Sequence, residues 1–238
     1  MDVAIIPARG GSIGFPRKNI KLLCGRPLIS YTIDAALGAG LFAKVWVSTD
    51  DREIEEIARR EGADVIRHPP ELSGPNSPTT PVIAWDLQHL ELGGCEIDIV
   101  TILRATSPLR TSDDIKSAFA TLQGAAGADS LVSMTPSLVS PARLKSVTAD
   151  GYWENAFPGE GRRPTRRQEF EPLYVRNGAI YMAKRTVISP NTLWGERCLA
   201  FEMPPDHGLN INTEFDFHVA ELLMQARSHE ECYLQHPF

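Results

Sequence analysis

Three short stretches gather the residues best able to do chemistry: Arg9 to Asn19 (R-G-G-S-I-G-F-P-R-K-N), Arg104 to Arg110 (R-A-T-S-P-L-R) and Asn210 to Asp216 (N-I-N-T-E-F-D). In the first, Gly10, Gly11 and Gly14 leave the backbone free to turn several N–H groups onto one anion. Arg9, Arg17 and Lys18 place three positive charges within ten residues. A triphosphate asks for both features; the plainer alternative is a strand-to-helix turn with incidental surface charge. Known phosphate loops do not fit. A G-x-x-x-x-G-K-[ST] motif needs a glycine five residues after the first, and Phe15, Pro16 and Asn19 stand five on from Gly10, Gly11 and Gly14. G-x-G-x-x-G is absent too, which argues against a nicotinamide dehydrogenase.

These stretches need a frame that brings them together. The chain alternates β-branched runs with helical patterns, which predicts an α/β domain with a mostly parallel twisted sheet flanked by helices. Strands are expected at Val3–Pro7, Lys44–Thr49, from Val65, Ile99–Leu103, Leu131–Met134 and Asn177–Met182. Pro27 is placed at the first position of a helix with Ile29, Ile33, Ala36 and Leu37 inward, ended by Gly38 and Gly40. Asp50 or Asp51 caps a helix burying Ile54, Ile57 and Ala58, and Thr80-Pro81 opens one burying Ile83, Leu87 and Leu90. Ser112 caps the next, with Ile115, Ala118, Phe119 and Leu122 on one face. Thr213 caps the last, with Asp216 as a capping-box partner and Phe215, Val219, Leu222 and Leu223 buried. Between about 136 and 175 periodicity fades while Pro, Gly and Arg accumulate. That segment reads as an inserted arm, either a dimer contact or an excursion closing over a site. One domain spanning 1–238 follows. Each chemical stretch leaves the carboxyl end of a strand, where open α/β sheets bind ligands.

Composition narrows the function. The 238 residues carry 24 basic and 30 acidic side chains, for a net charge of −6. That excludes a generally basic nucleic-acid binder and makes any anion site a local cluster. The cluster Arg162, Arg163, Arg166 and Arg167 could touch RNA, but it lacks interleaved aromatics. No apolar run is long enough for a membrane span, and the start of the chain is not of signal-peptide type, so a cytoplasmic protein is expected. Cys24, Cys95, Cys198 and Cys232 are far apart and read as buried reduced thiols. Lys21 and Arg26 near Cys24 are expected to lower its pKa. The six histidines show no metal-ligand spacing, so no zinc is expected, and His68 beside Pro69 and Pro70 reads as a turn residue more readily than a nucleotide contact.

Ile6 to Asn19, I-P-A-R-G-G-S-x-G-x-P-R-K-N, resembles the signature loop of the CMP-sialic acid synthetases (acylneuraminate cytidylyltransferases). Val47-Ser-Thr-Asp50 resembles that family's V-S-T-D, and Leu103 to Arg110 its L-x-P-T-S-P-L-R. Arg166-Arg-Gln168 resembles R-R-Q, Asn177 to Tyr181 matches N-G-A-I-Y, and Asn210 to Thr213 stands where the family has D-I-D-T. The resemblance implies a nucleotidyltransferase fold, with CMP passing from CTP to the anomeric hydroxyl of a nonulosonic (sialic-like) sugar acid. Pyrophosphate leaves, magnesium assists, and no covalent enzyme intermediate forms. It implies a nucleotide site at Ala8, Arg9, Gly10, Gly11, Ser12, Arg17, Lys18 and Asn19, with Arg67, Ser77 and Thr79 near the cytosine and ribose. Arg9 and Lys18 carry charge toward the departing phosphates. It implies an acceptor pocket of Arg166, Gln168, Asn177 and Tyr181, and makes the arm a homodimer element.

Besides Ala105, which stands in place of the proline of L-x-P-T-S-P-L-R, four positions depart from the family pattern. Ile13 replaces a loop lysine, Arg104 a glutamine, and Asn210 and Asn212 two metal-holding aspartates. An asparagine oxygen can ligate magnesium but brings no charge. Either the site is rebuilt, with Arg104 supplying catalytic and acceptor-binding charge and Asp216 joining Asn210 and Asn212 at the metal, or the protein binds nucleotide or sugar acid without turnover. The acceptor stays open among sialic, legionaminic and pseudaminic acids or a small acid such as a phosphonate, and a guanine donor stays open as well.

Overall fold

The computed structural model describes residues 1–11, 14–74, 77–157 and 172–235, with side chains up to residue 227. The strands are β1 (Val3–Pro7), β2 (Leu22–Leu23), β3 (Arg26–Pro27), β4 (Lys44–Thr49), β5 (Asp64–Arg67), β6 (Ile99–Leu103), β7 (Ser130–Pro136), β8 (Lys145–Val147), β9 (Trp153–Asn155), β10 (Tyr174–Lys184) and β11 (Cys198–Glu202). The helices are α1 (Leu28–Ala39), α2 (Arg52–Arg60), α3 (Thr79–Leu92), α4 (Ser112–Gly124) and α5 (Glu214–Gln235).

Seven strands form one sheet in the order β11-β7-β10-β6-β1-β4-β5. β1 pairs in parallel with β4 and β6, β4 with β5, and β11 with β7. β10 runs antiparallel to both β6 and β7, so the sheet is mixed. Among the described residues no α-helix lies between β7 and β10, the arrangement an antiparallel neighbour permits and a parallel one does not. From β1 the chain builds outward through β4 and β5, then returns to β6 on the other side. That reversal opens a crevice at the carboxyl ends of β1 and β6. The loops after Pro7 and after Leu103 flank it, and antiparallel pairing of Ile180 with Leu103 brings the first half of β10 to the same edge.

Strand alternation sorts the core into two layers. Ala4 and Ile6 of β1 pack with Ile29 and Ile33 of α1, Ile54 of α2, and Ile115 and Phe119 of α4. Val3 and Ile5 point the other way, into a cluster with Ile83, Leu87 and Leu90 of α3. A third cluster joins Phe15 of the glycine-rich loop to Leu23, Leu28, Ile211, Phe217 and Ala220. Phe15 meets Phe217 edge-on, centroids 5.5 Å apart, so α5 anchors the loop from outside the sheet.

Several local expectations need correction. Pro27 precedes α1 as its N-cap, Gly38 lies inside the helix, and Gly40 ends it in the left-handed region. Asp51, not Asp50, caps α2, accepting from Glu53 and Ile54 N–H. Thr111, not Ser112, caps α4, in a reciprocal box with Asp114 that satisfies two otherwise unpaired donors. Leu37 of α1 is exposed, as are Phe215 and Leu222 of α5, where Phe217 and Ala220 turn inward instead. The described thiols are not buried: Cys24 is exposed and Cys95 and Cys198 are half-buried, while the Cys232 side chain lies outside the described residues. Burial and the Glu221 carboxylate push the Cys24 thiol up rather than down.

The segment 136–175 carries the antiparallel hairpin β8–β9, and residues 158–171 lie outside the described residues. Val147, Tyr152 and Trp153 of the hairpin are exposed. No described helix is long and apolar enough to cross a membrane.

Candidate active site

The crevice between the β1 and β6 loops is a cleft of about 530 Å³ whose wall includes Ala8, Arg9, Lys18, Asn19, Arg104 and Asn212. Three cations converge there. The Arg9 guanidinium donates to the Gly74 carbonyl at 3.0 Å, and the Lys18 ammonium to the Ile211 carbonyl at 2.9 Å. The Arg104 guanidinium lies 5.7 Å from the Tyr181 ring centroid. Burial lowers the Lys18 pKa, and the positive charges of Arg104 and Arg9 lower it further, against a smaller pull from Asp216. Among the described residues, none of these three cations forms a salt bridge with a carboxylate within 4.0 Å. Repelling cations gathered in a cleft mark a place for an anion.

The loop is held by its neighbours more than by its glycines. Asn19 is buried and donates to the Arg9 carbonyl at 3.0 Å, pinning one end of the loop to the other. The Gly10 N–H donates to Asp50 Oδ1 at 2.9 Å, so this amide is engaged within the protein. A Cβ at Gly10 would stand 2.4 Å from Asp51 Oδ2, so no larger residue fits there without movement. Gly10 and Gly11 do not line the cleft. Arg17, expected at the phosphates, points away, in ion pairs with Asp51 and Glu53. Those pairs hold Arg17 in a left-handed conformation (φ 56°) uncommon for a residue with a side chain. Ser12 lies outside the described residues.

His68, Leu72, Ser73, Ser77, Pro78, Thr79, Thr80 and Val82 form a second wall of the cleft. Arg67, expected beside the base, is instead exposed and 3.7 Å from Glu55. Strand alternation accounts for the exchange: Ile66 points in, Arg67 out, and His68 in. The buried His68 ring bridges Ser48 Oγ (2.9 Å) and Ser73 Oγ (2.8 Å). That period-2 rule was available in the sequence.

The third wall is aromatic and cationic. Tyr181 stacks on Trp194 with centroids 6.0 Å apart, and the Arg176 guanidinium lies 4.9 Å from the Trp194 ring. All three line the cleft, together with Leu193. Sequence reasoning found Tyr181 but missed Arg176 and Trp194. Arg176 directly precedes N-G-A-I-Y, and Trp194 comes from a loop without periodicity to mark it.

Asn177, expected at the acceptor, is buried in the scaffold. Its Oδ1 accepts from Ser133 Oγ at 2.5 Å and Ala179 N–H at 3.0 Å, and its Nδ2 contacts Met203 Sδ at 3.6 Å. These contacts stitch the register shift in the β10–β7 ladder between Arg176 and Tyr181, which steers Tyr181 into the cleft. Gly178 at that shift has φ 80°, a conformation suited to glycine, and a Cβ there would meet Arg104. Arg110 is buried and donates to the Ala179 carbonyl at 2.9 Å; burial pushes its pKa down to about 9. Arg166 and Gln168 lie outside the described residues.

Of the expected metal ligands, Asn212 lines the cleft and Asn210 Oδ1 is buried without a partner. Asp216 Oδ2 accepts from Asn212 N–H, Thr213 N–H and the Thr213 hydroxyl, which caps α5 and lowers its pKa. Among the described residues, no three His, Cys, Asp or Glu side chains gather as a metal cage.

A family model described as cytidylyltransferase matches residues 3–198 of this chain. The chain is 34% identical over 219 residues to the N-acylneuraminate cytidylyltransferase of Streptococcus agalactiae, covering 90% of this chain and 51% of that protein. It is 35% identical over 221 residues to N-acylneuraminate cytidylyltransferase A of Danio rerio, covering 92% and 49% respectively. The Escherichia coli N-acylneuraminate cytidylyltransferase is 31% identical over 233 residues, with 98% of this chain and 54% of that protein covered. The chain thus spans about half the length of these relatives. In fold it is similar to a CMP:2-keto-3-deoxy-manno-octonic acid synthetase complexed with CTP, at TM-score 0.68 and 19% identity, over 95% of this chain and 99% of that one. A 4-diphosphocytidyl-2C-methyl-D-erythritol synthase from Anaerococcus prevotii superposes at TM-score 0.59 and 13% identity, over 94% and 98%.

Proposed function

The chain belongs to the cytidylyltransferase family, and from that premise we propose that it joins CMP, taken from CTP, to a nonulosonic sugar acid. The acceptor's anomeric oxygen bonds to the α-phosphorus, the bond to the β-phosphate oxygen breaks, pyrophosphate leaves with the electron pair, and the hydroxyl proton is released. Such a reaction asks for alignment and charge neutralisation rather than a protein nucleophile. The observation that carries this reading is the convergence of Arg9, Lys18 and Arg104 in one cleft, with Lys18 held below its ordinary pKa by burial first and by the other two cations after it.

The cleft's two other walls divide the remaining work. The Ser77–Val82 side, at the start of α3, takes the base and ribose, and His68 replaces Arg67 in that role. The Arg176, Tyr181 and Trp194 wall takes the acceptor, with Arg176 or Arg104 facing its carboxylate, because a guanidinium pairs with a carboxylate through two parallel bonds. Acids as different as sialic acid and a phosphonate satisfy that charge, so the wall specifies an acid before it specifies a sugar.

Magnesium, expected from the resemblance, finds a poor donor set. Asn210 and Asn212 offer only neutral oxygens, and Asp216 is engaged in capping α5. Hard divalent cations favour carboxylate oxygens. These residues do not fit a protein-held cation. This mismatch favours the second reading, a protein that binds nucleotide or sugar acid without turnover.

The exposed Val147, Tyr152 and Trp153 of the β8–β9 hairpin support a homodimer that buries them, since an isolated hairpin is only marginally stable in water.

The test is to incubate the protein with each nucleoside triphosphate, magnesium and a panel of nonulosonic acids and phosphonates, following pyrophosphate. Release with CTP and an acidic sugar is expected. No release with any pair, alongside calorimetric binding of CTP, would establish the non-catalytic reading.

A further inference from the structure

Beneath the wall assigned to the base, Ser48, His68 and Ser73 form a hydrogen-bonded thread, and the buried Asp86 carboxyl lies where Ser48 acts on it. Asp86 sits on α3, Ser48 on β4, His68 just after β5, and Ser73 beyond the following turn. His68 Nδ1 is 2.9 Å from Ser48 Oγ, and its Nε2 is 2.8 Å from Ser73 Oγ. His68 and Ser73 line the cleft. Asp86 and Ser48 are fully buried, and among the described residues neither Asp86 carboxyl oxygen has a hydrogen-bond partner. An ionised carboxylate left that way is costly, whereas a neutral carboxylic acid can donate a hydrogen to the nearest hydroxyl. Ser48 is the hydroxyl that bears on Asp86; burial nonetheless pushes the Asp86 pKa up to about 7.

We propose that Asp86 sets, through Ser48 and His68, whether the Ser73 hydroxyl offers a hydrogen or a lone pair to the nucleotide. This rests on the reading above only in assigning that wall to the nucleotide. The chain of donors runs one way in each state. With Asp86 protonated, its O–H donates to Ser48, Ser48 donates to His68 Nδ1, and His68 Nε2–H donates to Ser73. The Ser73 hydrogen then turns toward the cleft, where it can meet a base carbonyl. With Asp86 ionised, Ser48 donates to the carboxylate and accepts from His68 Nδ1–H. Nε2 then draws the Ser73 hydrogen away from the cleft, leaving a lone pair there. As proposed, the relay includes a turn of the Asp86 side chain that closes its link to Ser48, the hydroxyl that acts on it.

The surroundings add little competing charge. Around Asp86, α3 lays Ile83 and Leu87 in an apolar cluster with Val3 and Ile5 of β1, Trp46 of β4 and Ile66 of β5. Asp50, after β4, is the charged group that acts on His68, raising its pKa, while burial lowers it more. His68 is therefore neutral across the range in which Asp86 titrates, and its tautomer is the quantity to read.

The experiment is two-bond proton–nitrogen NMR on protein labelled with nitrogen-15 at histidine, between pH 6.5 and 8.5. His68→Gln assigns the resonance. His68 is expected to pass from the Nε2–H to the Nδ1–H tautomer as pH rises through about 7, and Asp86→Asn should abolish that change. One tautomer throughout in the unaltered protein, or the same change in Asp86→Asn, overturns the relay. In kinetics, Ser73→Ala should raise KM for CTP about fivefold to tenfold with kcat unchanged. An unaltered KM overturns the contact between Ser73 and nucleotide. The spectroscopic outcome holds whether or not CTP is turned over, so failure of the relay and failure of the proposed reaction are told apart.

Discussion

Lys18 is the residue on which the chemistry of the cleft turns, because its charge is the one its surroundings make conditional. Burial and the neighbouring Arg104 and Arg9 all lower its pKa. An ammonium that must neutralise phosphate charge works only while protonated, so activity should fall as pH rises through that lowered pKa, earlier than for a lysine in water. Arg104→Gln removes one of the lowering charges and should move the alkaline limb of the kcat/KM profile to higher pH. It should also cut the rate about 100-fold, the scale of one transition-state donor. A limb that stays in place would show that Arg104 does not act on Lys18. At this scale the sequence was legible where charge type mattered and misleading where direction mattered. Arg9, Lys18 and Arg104 share the cleft, but Arg17, equally cationic, is bound to Asp51 and Glu53 on α2. A string of residues does not say which arginine a distant helix will claim.

Among the elements, the β10–β7 ladder does most to shape the Arg176, Tyr181 and Trp194 wall, proposed above for the acceptor, and Asn177 is its stitch. Asn177→Ala leaves Ser133 Oγ and Ala179 N–H without their shared acceptor. A loss of about 1–3 kcal/mol of stability is expected for each buried group left unpaired. Urea unfolding measures it, and a variant as stable as the parent would return Asn177 to a direct acceptor role. The strands and most helices were legible because their apolar periodicity is clean. α5 was not: Phe215, Phe217, Val219, Ala220, Leu222, Leu223 and Met224 put apolar residues on every side, so period alone could not choose the buried face. Contact with Phe15 of the loop decides for Phe217. The antiparallel direction of β10 depends on which neighbours the strand meets. For His68, alternation from Ile66 would have sufficed.

For the molecule as a whole, net charge −6 and the cationic cleft pull in opposite directions, and the cleft governs what binds. The β8–β9 hairpin bears on assembly. Light scattering should give twice the chain mass, and Trp153→Asp should give a monomer of unchanged fold; a monomeric parent would remove the dimer. We propose that one cleft at the β1–β6 reversal holds the nucleotide with its phosphates on Arg9, Lys18 and Arg104. A crystal structure with CTP tests it most directly. The triphosphate should lie within hydrogen-bonding distance of those three cations, with the base against His68 and the start of α3 and the Arg176–Trp194 wall left open for the acceptor. CTP seated with its phosphates on that aromatic wall, or outside the cleft, would contradict the claim.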